Sequence, residues 1–154
     1  RKTGPDFLVG VRLSPVLSSC GYDLKDALET LHLCNEMDLD FVHVSCWDIY
    51  ETGVHNDEEQ PYTTHFRRVL DDTVPLITTG AVWNADDAKE AHQQGAEFVG
   101  VARAGIAHPN WPSYLNEGSD EPQRPPFEVA FLREAKLNQT FIEYMRRWNG
   151  FVAD

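Results

Sequence analysis

The sequence predicts an α/β fold: four parallel strands alternating with helices, a (βα)4 unit amounting to half of an eight-stranded barrel, followed by a C-terminal helical tail. Three observations carry this. Phe7 to Leu13 (FLVGVRL) is apolar on both faces, as a parallel strand covered by helices is and a half-exposed antiparallel strand is not. Short buried-type runs recur at residues 40–45, 74–79 and 97–101, with helical spacing between them. The last two runs end at turn signals, Thr79-Gly80 and Ala102-Arg103, and each leads straight into a helical pattern.

The first strand is interrupted by Arg12 near its C-terminal end, where parallel sheets keep their chemistry. The residue alone leaves a second reading open, an ion pair with Asp6 or Asp40. Asp23 to Met37 reads as an amphipathic helix, with Leu24, Ala27, Leu28, Leu31 and Cys34 at three- and four-residue spacing and Asp23 as N-cap. The second strand, Asp40 to Ser45, carries His43, open between a cavity-facing role and the commoner one of satisfied core packing. Cys46 to Gln60 reads as a polar loop with two aromatics, Trp47 and Tyr50, of a length that is usually functional or mobile.

Pro61 to Asp72 is the next helix, with Phe66, Val69 and Leu70 as its buried stripe. The third strand then stops at Gly80, Asn84 to Gln94 is helical, and Gly95 is its stop signal. The fourth strand, residues 97–101, turns at Ala102-Arg103 into a short helical start over 104–107. The reading by domains is a half-barrel over 1–115, a polar, proline-rich linker over 116–126 and a C-terminal helical extension over 127–154. In that extension Phe127, Phe131, Ala135, Phe141, Met145 and Trp148 read as packing residues that cover the barrel wall.

Bulk properties narrow the function. The 154 residues are 42% hydrophobic and 25% charged, ordinary for one globular domain. Twenty-five acids against 13 bases give a net charge of −12, which repels nucleic acid and acidic membrane surfaces. Arg67-Arg68 and Arg146-Arg147 read as isolated pairs on helix surfaces. No apolar run or basic-then-apolar leader points to a membrane or to export, so the expected location is cytoplasmic. The chain opens Arg1-Lys2-Thr3 without Met, which reads as processing or a cut from a longer chain. Cys20, Cys34 and Cys46 are odd in number and lack CxxC spacing, so they read as reduced thiols. The six histidines show no HxH or HxxxH arrangement, and no metal is expected. The serines lack a nucleophile-elbow context. Asp86-Asp87 reads as a first-turn pair favoured by the helix dipole.

What remains is an anion grip. Unpaired backbone N–H groups at a loop or helix start, the close approach that glycine permits and one guanidinium together suit a phosphate. Pro75, Thr79-Gly80, Asp87-Ala88, Gly95-Ala96, Val99-Gly100-Val101, Arg103-Ala104, His108-Pro109 and Trp111-Pro112 carry a resemblance to the old yellow enzyme family of FMN-dependent NAD(P)H:flavin oxidoreductases. Val11-Arg12-Leu13-Ser14-Pro15 and the 40–45 segment extend it over most of residues 7–112, while residues 117–154 match only loosely.

The resemblance implies the C-terminal half of a TIM barrel that holds FMN. Thr79, Gly80, Ala81, Ala102 and Arg103 would grip the phosphate, and Arg12 would lie beside the pyrimidine end of the isoalloxazine, where charge builds up on reduction. Ala102 departs from the family's usual Gly. The family reduces the C=C bond of α,β-unsaturated carbonyl compounds with NAD(P)H. Its first four βα units supply the residue near flavin N5, the carbonyl clamp and the Tyr proton donor, so no catalytic residue is assigned here. The expected partners are FMN, an enone-type substrate and either the missing N-terminal half or a second copy. The alternatives are a non-enzymatic half-barrel that binds phosphate or dimerises, and another phosphate-binding barrel acting on a sugar phosphate.

Overall fold

The computed structural model describes residues 4, 6–116 and 121–154; the chain's first three residues and part of the 116–126 linker lie outside them. In chain order the elements are β1 (Gly10–Leu13), α1 (Leu24–Asn35), β2 (Phe41–Ser45), β3 (Thr52–His55), β4 (Glu58–Pro61), α2 (Tyr62–Val69), β5 (Leu76–Thr79), α3 (Ala85–Gln93), β6 (Phe98–Gly100), α4 (Arg103–Ala107), α5 (Val129–Glu134) and α6 (Gln139–Met145). Four strands form one parallel sheet in the order β1-β2-β5-β6, with β1 and β6 at its edges. This is the expected α/β half-barrel, an open sheet and not a closed barrel. By compactness the chain forms two units, one running to residue 82 and including 87–100, the other comprising 83–86 and 101–154.

In the first unit, alternation along the strands decides everything about the two sheet faces. Val42, Val44, Leu76 and Thr78 are fully buried and join Leu24, Ala27, Leu28 and Leu31 of α1 and Phe66 of α2 in the core. Burying side chains of this size stabilises the fold by about 1.5–3 kcal/mol each. The other face carries Gly10 and Arg12, then Phe41, His43 and Ser45, then Ile77 and Thr79, then Phe98 and Gly100. Strand register arranges these in rows, with Arg12, His43, Ile77 and Phe98 in one and Ser45, Thr79 and Gly100 in the next. This face is apolar only towards β6, because the alternation that sends Val42 and Val44 to the helices sends His43 and Ser45 the other way.

Helix α1 begins as its sequence says. Asp23 Oδ1 accepts from the Asp26 N–H and Asp26 Oδ2 accepts from the Asp23 N–H, both at 3.1 Å, a reciprocal cap. Gly95 stops the segment after α3 in a left-handed conformation, φ 101°.

Two expectations are corrected. The span read as a polar loop, residues 46–60, contains the antiparallel hairpin β3–β4, turned by Asn56 and Asp57 with φ of 53° and 63°. Arg67 is no surface residue. Its guanidinium donates to the carbonyls of Leu70 (2.7 Å), Asp71 (2.7 Å) and Val74 (3.2 Å), fastening the chain between α2 and β5.

The second unit has its own core around Phe127, which is fully buried and stacks on Phe131 and meets Trp83, His108 and Phe151. Met145 is buried there as expected of a packing residue, but Phe141 and Trp148 are exposed. Among the described residues no helix is long and apolar enough to cross a membrane, and no group of three or more His, Cys, Asp or Glu could hold a metal ion. All three cysteines are free, and burial pushes the Cys46 thiol up to about 11.

Candidate functional site

On the open face of the first unit, Arg12 is aimed where its position on β1 requires, away from the helices. Its Nη2 donates to Ser45 Oγ, so the guanidinium is held against β2 near the C-terminal end of the sheet. Asp40, the alternative partner read from the sequence, accepts from the Val9 N–H through Oδ2 at 2.7 Å. A fixed guanidinium on this face suits a planar polar edge that accepts hydrogen bonds and gains negative charge.

His43 stands beside Arg12 in the parallel register. Its Nε2 is buried and has no hydrogen-bond partner. Burial first, and the Arg12 charge second, hold the imidazole below its ordinary range, so it is neutral at pH 7. The satisfied core role is therefore not the one it plays.

At the end of β5 the chain is tightly tied. Thr79 Oγ1 donates to the Gly100 carbonyl at 2.7 Å, and the carbonyls of Thr79 and Gly80 accept from the N–H groups of Cys46 (3.0 Å) and Ile49 (3.1 Å). Gly80 has φ 150°, and a Cβ there would lie 2.9 Å from the Cys46 carbonyl oxygen. The glycine thus answers a demand of the protein backbone itself. Ala81 is left-handed, φ 51°, an uncommon conformation for a residue with a side chain. A residue held so is a functional hint, because the surroundings must impose it.

In the second unit Ala102 precedes α4, and Arg103 is the first residue of that helix. Ala102 has φ −116° and ψ −85°, a negative φ but a pair outside the main helical and strand regions, which a glycine would occupy with less strain. The Arg103 guanidinium lies over the Trp83 ring, 5.9 Å from its centroid, and Arg124 lies 5.5 Å from the same ring. Trp83 itself is fixed by its carbonyl, which accepts from Trp111 Nε1 at 2.7 Å. Thr79, Gly80 and Ala81 are thus gathered in one unit and Ala102 and Arg103 in the other.

Sequence reasoning missed two residues of the first unit. Asp87, read as an ordinary first-turn acid, is buried and accepts the Tyr50 hydroxyl at 3.0 Å. Burial, then that hydrogen bond, push the Tyr50 phenol up to about 12. Nothing local in the sequence marks this pair, because 37 residues separate its members.

Comparison with known proteins bears on what such a site does. No family model matches the chain. It is 27% identical over 117 residues to the probable NADH-dependent flavin oxidoreductase YqiG of Bacillus subtilis (strain 168), covering 75% of this chain and 32% of that protein. It is 27% identical over 111 residues to NADH:acrylate oxidoreductase of Vibrio harveyi and 25% identical over 119 residues to NADH:fumarate oxidoreductase of Klebsiella pneumoniae (strain 342). The matches take in 69% and 74% of this chain but only 11% and 13% of those two proteins. The chain therefore spans about a third of the first relative and about an eighth or less of the others.

Proposed function

We propose that this chain, a relative of NADH-dependent flavin oxidoreductases of the old yellow enzyme kind, is the FMN-holding C-terminal part of such an enzyme. The observation that carries the reading is Arg12, fixed by Ser45 on the sheet face turned away from the helices. Bound FMN would supply hydride transfer from NAD(P)H to the C=C bond of an unsaturated carbonyl compound. The chain's own residues would do the holding. Arg12 would hold the pyrimidine edge and stabilise negative charge there, as fixed donors do at a developing oxyanion. Thr79, Gly80, Ala81, Ala102 and Arg103 would take the phosphate.

The same reading says what covers the open face. The open sheet face, which carries Ile77 and Phe98 beside the polar Arg12, His43 and Ser45, would meet either further barrel strands of a longer polypeptide or a second copy. A dimer of this part would duplicate the phosphate grip without a proton donor or a carbonyl clamp, and enone reduction by it alone is not expected.

The test is FMN binding by the chain, followed by flavin absorbance and titration. Arg103→Ala should weaken FMN binding by roughly 2–5 kcal/mol, the usual cost of removing one partner of a desolvated charge pair. Unchanged affinity in that variant would remove Arg103 from the phosphate site. A colourless chain that binds inorganic phosphate, or nothing, would favour the non-enzymatic half-barrel.

A further inference from the structure

His43 is the one imidazole on the sheet face that also bears Arg12, and its buried Nε2 lacks a partner where buried polar atoms nearly always have one. Cα pairing sets it between Arg12 on β1 and Ile77 on β5. Of the groups on this face around it, β1 gives Arg12, β5 gives Ile77 and Thr79, and β2 itself gives Phe41 and Ser45. Arg12 is the charged one among them. The Ser45 hydroxyl, two residues beyond His43 on the same strand and face, holds the guanidinium close by. A second positive charge on the imidazole would therefore be both desolvated and repelled.

That arrangement has a reciprocal consequence. An anion docked on Arg12 cancels the repulsion, and the imidazole can then accept a solvent proton. We propose that His43 is the proton-linked partner of Arg12, so that occupation of the guanidinium by an anionic group is coupled to proton uptake on the imidazole. The linked charge change is one proton gained per anion bound, with no covalent step. By linkage, whatever factor the anion adds to proton affinity the proton adds to anion affinity. Affinity should rise by up to about tenfold per unit fall in pH across the window between the free and anion-bound pKa values of His43. The proposal rests on the flavin reading only in supplying the natural anion, a flavin edge that becomes negative on reduction. The coupling itself belongs to Arg12 and His43. His43 is thus a positioning residue for charge at Arg12, not a catalytic one.

The experiment follows the imidazole carbon resonances of His43 against pH in the full chain, assigned by their loss in His43→Gln. With no ligand, Arg12→Gln should raise the His43 pKa and Arg12→Lys should leave it low. With sodium sulfate as the probe anion, the wild-type pKa should rise, and it should not rise in Arg12→Gln. A His43 pKa indifferent to both the Arg12 charge and sulfate would overturn the proposal, and the sulfate titration of the wild type needs no variant to fold. Oxidised and reduced FMN form a separate arm. If FMN fails to bind while the sulfate-dependent shift is present, the flavin reading fails and the coupling stands. If FMN binds and His43 titrates unchanged with every anion, the reverse holds.

Discussion

The ring of Phe41 fills the space that a side chain at Gly10 would need: a Cβ on Gly10 would lie 2.2 Å from Phe41 Cε2. The two residues are Cα partners in the β1–β2 ladder, so register sets Phe41 beside Gly10, and the atoms in the way are its outer ring carbons. Gly10→Ala should destabilise the chain by about 1–3 kcal/mol, the usual range for overpacking. In a Phe41→Ala background the same change should cost much less, and chemical denaturation of the four proteins of this cycle would measure the coupling. Additive costs would refute the steric argument.

A second prediction concerns Arg67, which donates to three backbone carbonyls between α2 and β5. Its removal strands acceptors that are partly buried. Arg67→Met should cost about 2–3 kcal/mol, in the range for hydrogen bonds to charged groups. Arg67→Lys should recover little of it, because one ammonium cannot reproduce the planar fork that reaches all three. Full rescue by Lys would show that charge alone is what counts.

Alkaline stability should report on Tyr50 and Asp87. The folded phenol is pushed up to about 12 from an ordinary 10.0. Between those values the unfolded chain has released the proton and the folded chain has kept it, so stability falls as pH rises. The loss should begin near pH 10 and be complete near pH 12. Tyr50→Phe should remove this part of the alkaline slope, which urea midpoints taken across that range would read directly.

Gly80 offers a fourth test, of whether the glycine serves the fold or the ligand. With φ at 150° and the Cys46 carbonyl only 2.9 Å from a would-be Cβ, Gly80→Ala should lower stability without any ligand, by about 1–3 kcal/mol. A variant as stable as the parent, but impaired in FMN binding, would assign the glycine to the ligand alone.

Much of the fold was legible because its signals are local. The parallel strands announce themselves as short apolar runs, and the start of α1 is written in Asp23 and the acid three residues later. Gly95 marks a left-handed stop that few other residues would accept. The hairpin β3–β4 was not legible, since Thr52–His55 and Glu58–Pro61 lack apolar alternation. Only Asn56-Asp57, two residues that tolerate the left-handed region, hinted at the turn. Arg67 was misjudged, and the Tyr50 partnership of first-turn Asp87 missed, for a different reason: both depend on partners that only the tertiary fold brings near. His43 was left open because the strand pattern says which face a residue takes but not whether its nitrogens find partners there.

The row that joins Arg12 and His43 to Ile77 and Phe98 also constrains how two copies could close over their open faces. A two-fold axis repeats every feature, so a symmetric pair would bring two Arg12 guanidinium groups into one enclosed space. Like charges sheltered from water repel strongly unless counter-ions come with them. Symmetry would thus make self-association conditional on small anions, tightening as sulfate or phosphate is added and loosening on dialysis. A covering strand set of different sequence carries no such obligation.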